Sequence, residues 1–325
     1  MARARPELDT RAADRGVVAR SRGDYTVLKS AVCYSVDEDD LRVFDDRFVL
    51  FRSDNQAPLG VVSDRYQIVQ PGQVLEFFRD LCDEHGFDLE TAGTLFGGAR
   101  YWALAKTPMS LSLKGDEVNG YVLLATSADG SLATTAKVVS TRVVCNNTLG
   151  VAMNEKSKHA ITVRHSTQFD ATQVKIDLGV LDAGWKVFAD KCERLSRAPM
   201  TKKQALETLI NAMGDPEKPV EEQPNKRPMA SILDIFDGKL IGDMASTHGT
   251  AWGLVNAATQ YYDHDAGRSD NSRLASAWFG PAADRKQTVF NKALDFADLN
   301  TVIAATPAAA PAGLLDHVLD ATIPV

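Results

Sequence analysis

The sequence predicts an α+β fold: an antiparallel β-meander sheet packed by long helices, with a helical C-terminal part. Three observations carry this. Aromatic and β-branched runs over residues 95–106, 118–126 and 132–145 are separated by turn chemistry at Lys114-Gly115-Asp116 and Ala128-Asp129-Gly130, the pattern of consecutive hairpins. Val174, Leu178, Leu181, Trp185, Phe188, Cys192 and Leu195 then follow at spacings of 4, 3, 4, 3, 4 and 3, one seam of a helix. Well beyond the strand-rich part, Trp252, Val255, Thr259 and Tyr262 mark another amphipathic helix.

Taken in order, residues 1–23 carry six arginines against Glu7, Asp9 and Asp14, a net of +3 with few large apolar groups, and read as a flexible arm. Asp37, Glu38, Asp39, Asp40, Asp45 and Asp46 form an acidic lead-in, so residues 1–47 are placed outside the core. The sheet is expected from about residue 48, where Phe48-Val49-Leu50-Phe51 reads as a strand, to residue 165, with a last short strand over 160–165. Pro71 is suited to opening a helix over 72–85, in which Val74, Phe77, Phe78, Leu81 and Cys82 make one apolar stripe and Gly86 is the stop. This stripe places Cys82 in the core. A second helix over 172–197 is expected to pack on the sheet, because Gly179 and Gly184 weaken it as a free coiled coil. Thr201 and Gln204 form a capping box leading into Leu206, Leu209, Ile210 and Met213, closed by Gly214.

The α+β core domain is thus assigned to residues 48–213. Residues 214–229 hold four of the thirteen prolines and read as a linker or exposed excursion. A helical part covers 230–300, and an Ala/Pro-rich tail covers 301–325.

Composition narrows the function classes. With 44% hydrophobic and 24% charged residues, the chain is neither disordered nor fibrous as a whole. Its net charge of −7 argues against a protein basic all over, though not against a local basic face. Four cysteines, at 33, 82, 145 and 192, form neither a Cys-x-x-Cys pair nor a disulfide-dense framework, which fits a reducing cytoplasm. With no apolar signal region and no long apolar window, a cytoplasmic protein without a membrane partner is expected.

Local charge is more informative. Between Lys137 and Lys203 there are twelve basic and six acidic side chains, a segment of +6 that leaves −13 for the rest. Strand alternation puts Lys137 and Arg142 on opposite faces, which works against a flat basic patch. Lys156, Lys158, His159, Arg164 and His165 could form a basic rim on the loop and strand after Asn147, either touching phosphate or simply solvated. In the run Arg142-Val-Val-Cys145-Asn146-Asn147-Thr148, the two amides could end the strand and cap a following helix, or hydrogen-bond a base edge or ribose-phosphate. Cys145 with His159 or His165 has the composition of a nucleophile and base, but a thiol ending an apolar strand is more often a small core residue. Asp263-His264-Asp265 offers metal-ligand types, yet adjacent helical residues diverge by about 100° and read rather as a polar helix terminus. Gly97-Gly98 lacks the residues of a phosphate loop or dinucleotide fingerprint and reads as a bulge. No catalytic, cofactor or metal residue is assigned.

Several stretches together resemble the phage/plasmid-like proteins grouped as domain of unknown function 932. They are PLGVVSDRYQIVQPGQVLEFF (58–78), ETAGTLFGGARYWALAK (90–106), TRVVCNNTLGVA (141–152), VRHS (163–166), GTAWGLVNAATQYYDHDAG (249–267) and SRLASAWFG (272–280). The chain departs from the pattern in its proline-rich excursion and in AADRKQ, where relatives tend to have a glycine-rich turn before a lysine. The resemblance implies a mobile-element protein in DNA maintenance or recombination. A β-meander followed by a long helix is also broadly similar to phage single-strand annealing proteins, an analogy of fold alone. The implied function is non-catalytic binding of nucleic acid, with single-stranded DNA favoured. Arg142, Asn146, Asn147, Lys156, Lys158, Arg164 and His165 are the candidate contacts, and a homo-oligomer is compatible. The alternatives are an enzyme built around Asn146, Asn147 and His165, or an oligomeric interaction protein without nucleic-acid affinity.

Overall fold

The computed structural model describes residues 24–142, 145–148, 160–168, 170 and 181–305. Its strands form two antiparallel sheets. The first has the order β1 (Val27–Asp37), β2 (Asp40–Arg52), β3 (Pro58–Ser63). Next come helix α1 (Pro71–His85) and the strands of the second sheet: β4 (Asp88–Leu95), β5 (Arg100–Leu113), β6 (Asp116–Ser127), β7 (Thr134–Arg142), β8 (Cys145–Thr148) and β9 (Ala160–Val163). Strands β4 to β8 are neighbours in chain order. Both β8 and β9 pair with β7, along Val139–Arg142 and Thr134–Lys137 respectively, so they share its outer edge. The helices that follow are α2 (Leu181–Arg197), α3 (Lys202–Met213), α4 (Lys226–Asp234), α5 (Ala251–Gln260), α6 (Asp270–Phe279) and α7 (Pro281–Ala305). No described helix is long and apolar enough to cross a membrane.

The α+β expectation holds, but strand structure starts earlier than residue 48. The acidic lead-in from Val27 onward is a long hairpin, turned at Glu38-Asp39 with Asp37 opposite Asp40. Its alternating Val, Leu, Cys and Tyr are strand formers, and the acids gather at the tip and at the irregular stretch where Asp46 takes a φ of 62°.

Local signals worked where the chemistry is local. Pro71 opens α1, and Gly86, at φ 68°, closes it in the left-handed conformation that glycine adopts without strain. Val74, Phe77, Phe78 and Leu81 are buried as the stripe requires, whereas Cys82 sits at its margin, half-buried. The two-residue turn Lys114-Gly115 has φ of 50° and 85°, which suits the twist of a tight hairpin. In α2, Trp185, Phe188, Cys192 and Leu195 are buried, while the expected stretch before Leu181 lies outside the described residues. The Thr201 capping box forms in both directions: Gln204 N donates to Thr201 Oγ1 at 3.3 Å, and Thr201 N donates to Gln204 Oε1 at 2.8 Å.

The proline-rich segment does not separate two cores. Gln223 is buried there, accepting from Asp215 N and donating to the carbonyls of Asp215 and Lys218, so the excursion folds onto its own backbone. A single apolar cluster runs from Val69 and α1 through Ala103, Val122, Leu124 and Val138 of the sheet to α2, α3, α5 and α7. Helix α5 lies deepest, with all ten residues buried. A Cβ on Gly253 would stand 2.0 Å from the Thr247 carbonyl oxygen, so only glycine allows this approach.

The opposite face of the second sheet carries Leu104, Tyr121, Leu123 and Val139, which pack on Ala277 and Trp278 of α6. Trp102 meets Trp278 edge to face at 4.7 Å. The base of the first sheet is fastened by Tyr25, whose hydroxyl donates to Gly98 O at 2.8 Å and whose ring lies under the Arg52 guanidinium. Arg52 in turn donates to Gly97 O at 2.9 Å.

Candidate functional site

Of the seven residues singled out by sequence, only Arg164 and His165 have described side chains. Lys156 and Lys158 lie outside the described residues. Arg142 closes β7 opposite Cys145, while Asn146 and Asn147 pair with Thr141 and Ser140. The two asparagines therefore continue the sheet in β8.

The basic segment carries less unpaired charge than its +6 suggests, although most of its pairs lie at the surface. Arg194 pairs with Asp190 and Asp298, Arg197 with Glu193, Lys202 with Asp237, and Lys203 with Glu207. Lys137 turns into the second face of the sheet, where its ammonium donates to the Trp278 carbonyl and lies 4.6 Å from the centre of the Phe279 ring. Trp278 O is one of the last carbonyls of α6, which have no partner within the helix, so Lys137 caps that end and ties it to β7. Burial, helped by neighbouring Lys286, pulls the Lys137 pKa down to about 7.

Arg164 is exposed just after β9, and Thr167 N donates to its carbonyl at 2.9 Å in a tight turn. This turn presents His165 to the turn that ends β3. There, Tyr66 N donates to Ser63 O, and the Tyr66 hydroxyl donates to Ser127 O at 2.7 Å. Burial pushes the Tyr66 phenol up to about 12, so it stays a donor. The His165 ring stacks on Tyr66 with centroids 4.4 Å apart, and its two nitrogens lie 3.0 Å from the carbonyl oxygens of Gln67 and Leu132. Both nitrogens face backbone carbonyls, so the ring bridges two chain segments, although a neutral imidazole donates to only one of them at a time.

Around this stack lies a shallow cleft of about 300 Å³, lined by Ser63, Arg65, Tyr66, His165 and Ser166. Arg65 is exposed, and Arg47 stands beside Ser63 in the β2–β3 ladder, where it pairs with Asp46 at 3.2 Å. Two hydroxyls, an aromatic stack and nearby guanidinium groups are suited to a phosphate and an adjoining planar group. Sequence reasoning had Arg65 and Tyr66 in view only as part of SDRYQIVQ. The signal that could have found them is an Arg-Tyr pair directly after a strand-ending turn.

Asp263 belongs to a π-helical turn, Tyr261–Asp265, that extends α5. It pairs at 2.7 Å with Lys286, the lysine of AADRKQ, and both are almost fully buried. Asp263 thus joins α5 to α7. Among the described residues, no group of three or more His, Cys, Asp or Glu is placed to hold a metal ion.

The architecture defines an α+β protein with two antiparallel sheets, the second packed by the helices in one large core and the first in a smaller cluster with Ala128. Residues 58–278 match the family described as Domain of unknown function (DUF932), about two thirds of the chain, and the chain belongs to that family. No curated protein and no solved structure matches it.

Proposed function

We propose that this chain is a non-catalytic nucleic-acid-binding protein of a mobile element. In this reading it acts in DNA maintenance or recombination, with single-stranded DNA as its ligand, in the manner of an annealing protein. The observation that carries the reading is the cleft at Arg65, Tyr66 and His165, with Arg164 next in sequence and two serine hydroxyls on its wall. Phosphate would be met by the guanidinium groups, and the aromatic pair offers a stacking surface without base preference. The −7 net charge requires the acidic remainder to face away from the ligand.

The test is binding of single- and double-stranded oligonucleotides at two salt concentrations, followed by anisotropy. Arg65→Ala and Arg164→Ala are each expected to weaken binding and flatten the salt dependence by about 0.7 of a log–log unit on a single strand. Arg268→Ala, at an exposed position on the turn before α6, serves as the control. A wild-type chain with no affinity at low salt, or a double arginine variant that binds as wild type, overturns the proposal.

A further inference from the structure

The β1–β2 hairpin runs past the end of β3. Beyond the level of Ser63, opposite Arg47, both of its strands continue to the tip with no third strand beside them. At about 3.3 Å per residue, the projecting part is about 20 Å long. Its surface is unlike that of an ordinary solvent-facing hairpin. The register places Val32 opposite Phe44 and Tyr34 opposite Arg42, so Val32, Tyr34 and Phe44 share one face, with Tyr34 and Phe44 in edge-to-face contact at 6.3 Å. Tyr34, Val36 and Phe44 are 47%, 49% and 49% exposed, and Leu28 and Val61 extend the same face toward the body of the molecule at 42% and 58%. No described element buries this face. The reverse face packs at its base through Val27, Leu50 and Val62, while toward the tip it exposes Leu41 and Val43.

We infer that this outer face is a self-association surface, on which two copies of the chain pack their β1–β2 hairpins against each other in antiparallel sense. The occupant follows from composition and charge. Residues 32–47 carry six acids against Arg42 and Arg47, a net of −4, which repels nucleic acid and anionic lipid surfaces alike. An apolar face meeting its own copy satisfies both sides at once, as a two-fold interface requires. The sense is fixed by the tip. Asp37, Glu38, Asp39 and Asp40 would repel their counterparts in a tip-to-tip arrangement. An antiparallel crossing near Tyr34 and Phe44 moves the tips apart by well over the roughly 10 Å screening length and brings each tip toward the partner copy's Arg47, which its own Asp46 holds at 3.2 Å. Each copy contributes roughly 400 Å² of exposed apolar surface, about the largest patch a monomer usually leaves in water. Two such faces with their polar rims approach the roughly 1,200 Å² at which specific interfaces begin. Residues 1–23, although net +3, hold too few large apolar side chains to cover the face in place of a second copy.

The experiment is the solution mass of the full chain by light scattering and sedimentation at micromolar concentration, in the absence of nucleic acid. Its outcome is therefore independent of the binding proposal above. Twice 35.3 kDa is expected. Tyr34→Ser with Phe44→Ser should weaken the dimer on the order of 100-fold, with circular dichroism unchanged and any fall in melting temperature confined to the concentrations at which the wild type is dimeric. Arg47→Glu, and separately Asp39→Arg with Asp40→Arg, should each weaken self-association, and mixing the two charge-reversed chains should restore it as a heterodimer. A monomeric wild type, a serine variant that stays dimeric, or a mixture that does not associate overturns the inference. So does a full chain that is monomeric yet dimerises once residues 1–23 are removed, which would give the face to that segment.

Discussion

Replacing Lys137 with Met separates two effects that the native side chain combines. Its ammonium caps the end of α6 by donating to the Trp278 carbonyl, but it does so where burial and Lys286 disfavour the charge, with a pKa of about 7 against 10.5 in an unfolded chain. The sign follows from proton counting. Between pH 7 and 10.5 the unfolded chain holds the lysine proton and the folded chain has largely released it, so unfolding takes up a proton and stability rises with pH. Near pH 7 the folded group is half protonated, and by pH 9 it is almost wholly neutral. Integrating the difference gives the wild type a gain of about 2 kcal/mol over that interval from this one residue. Met keeps the length and apolar contact of the stem but neither titrates nor donates. At pH 9 the unfolded lysine is still protonated, so folding still costs the wild type about 2 kcal/mol of deprotonation; set against about 1 kcal/mol for the lost hydrogen bond, Lys137→Met should be more stable than wild type by about 1 kcal/mol there. As the pH falls toward 7, that advantage should grow by about 2 kcal/mol, because the variant has no proton to release on folding. Urea unfolding of both proteins at intervals from pH 6 to 9.5 gives the comparison, and groups common to both chains cancel. Parallel stability curves would refute the enclosed amine.

Asp263→Asn leaves Lys286 without its buried counter-charge and should lower unfolding stability by about 3 kcal/mol, measured by the same urea titration. Gly253→Ala forces a methyl group onto the Thr247 carbonyl, and either a loss of at least about 2 kcal/mol or failure to fold is expected; a near-neutral result would contradict the packing of α5. Trp278→Ala removes the ring that fills the second face of the sheet and should cost about 3 to 5 kcal/mol in chemical denaturation. In thiol labelling of the native protein, exposed Cys33 should react promptly, whereas Cys192, fully buried and with its thiol pKa raised by that burial, should react only after unfolding.

The sequence by itself determined the elements whose causes lie within a few residues. The α2 seam, the Thr201–Gln204 cap, the Pro71 and Gly86 ends of α1 and the Lys114-Gly115 turn each express a period or backbone preference that local residues set. The family was legible in the same way, as motifs in order along the chain. Long-range packing decided the rest. Lys137 counts as a surface charge until α6, 141 residues away, closes over it, and His165 reads as part of a basic rim until Gln67, 98 residues earlier, is found beside its ring. Acidic residues 37–46 suggested a solvated lead-in because charge is a local property. Pairing is not, and the antiparallel ladder between β1 and β2 made that stretch part of a sheet. Arg65 and Tyr66 join Arg164 and His165 for the same reason. The ends of β3 and β9 converge only after the strands between them have formed, so no spacing along the chain records the cleft.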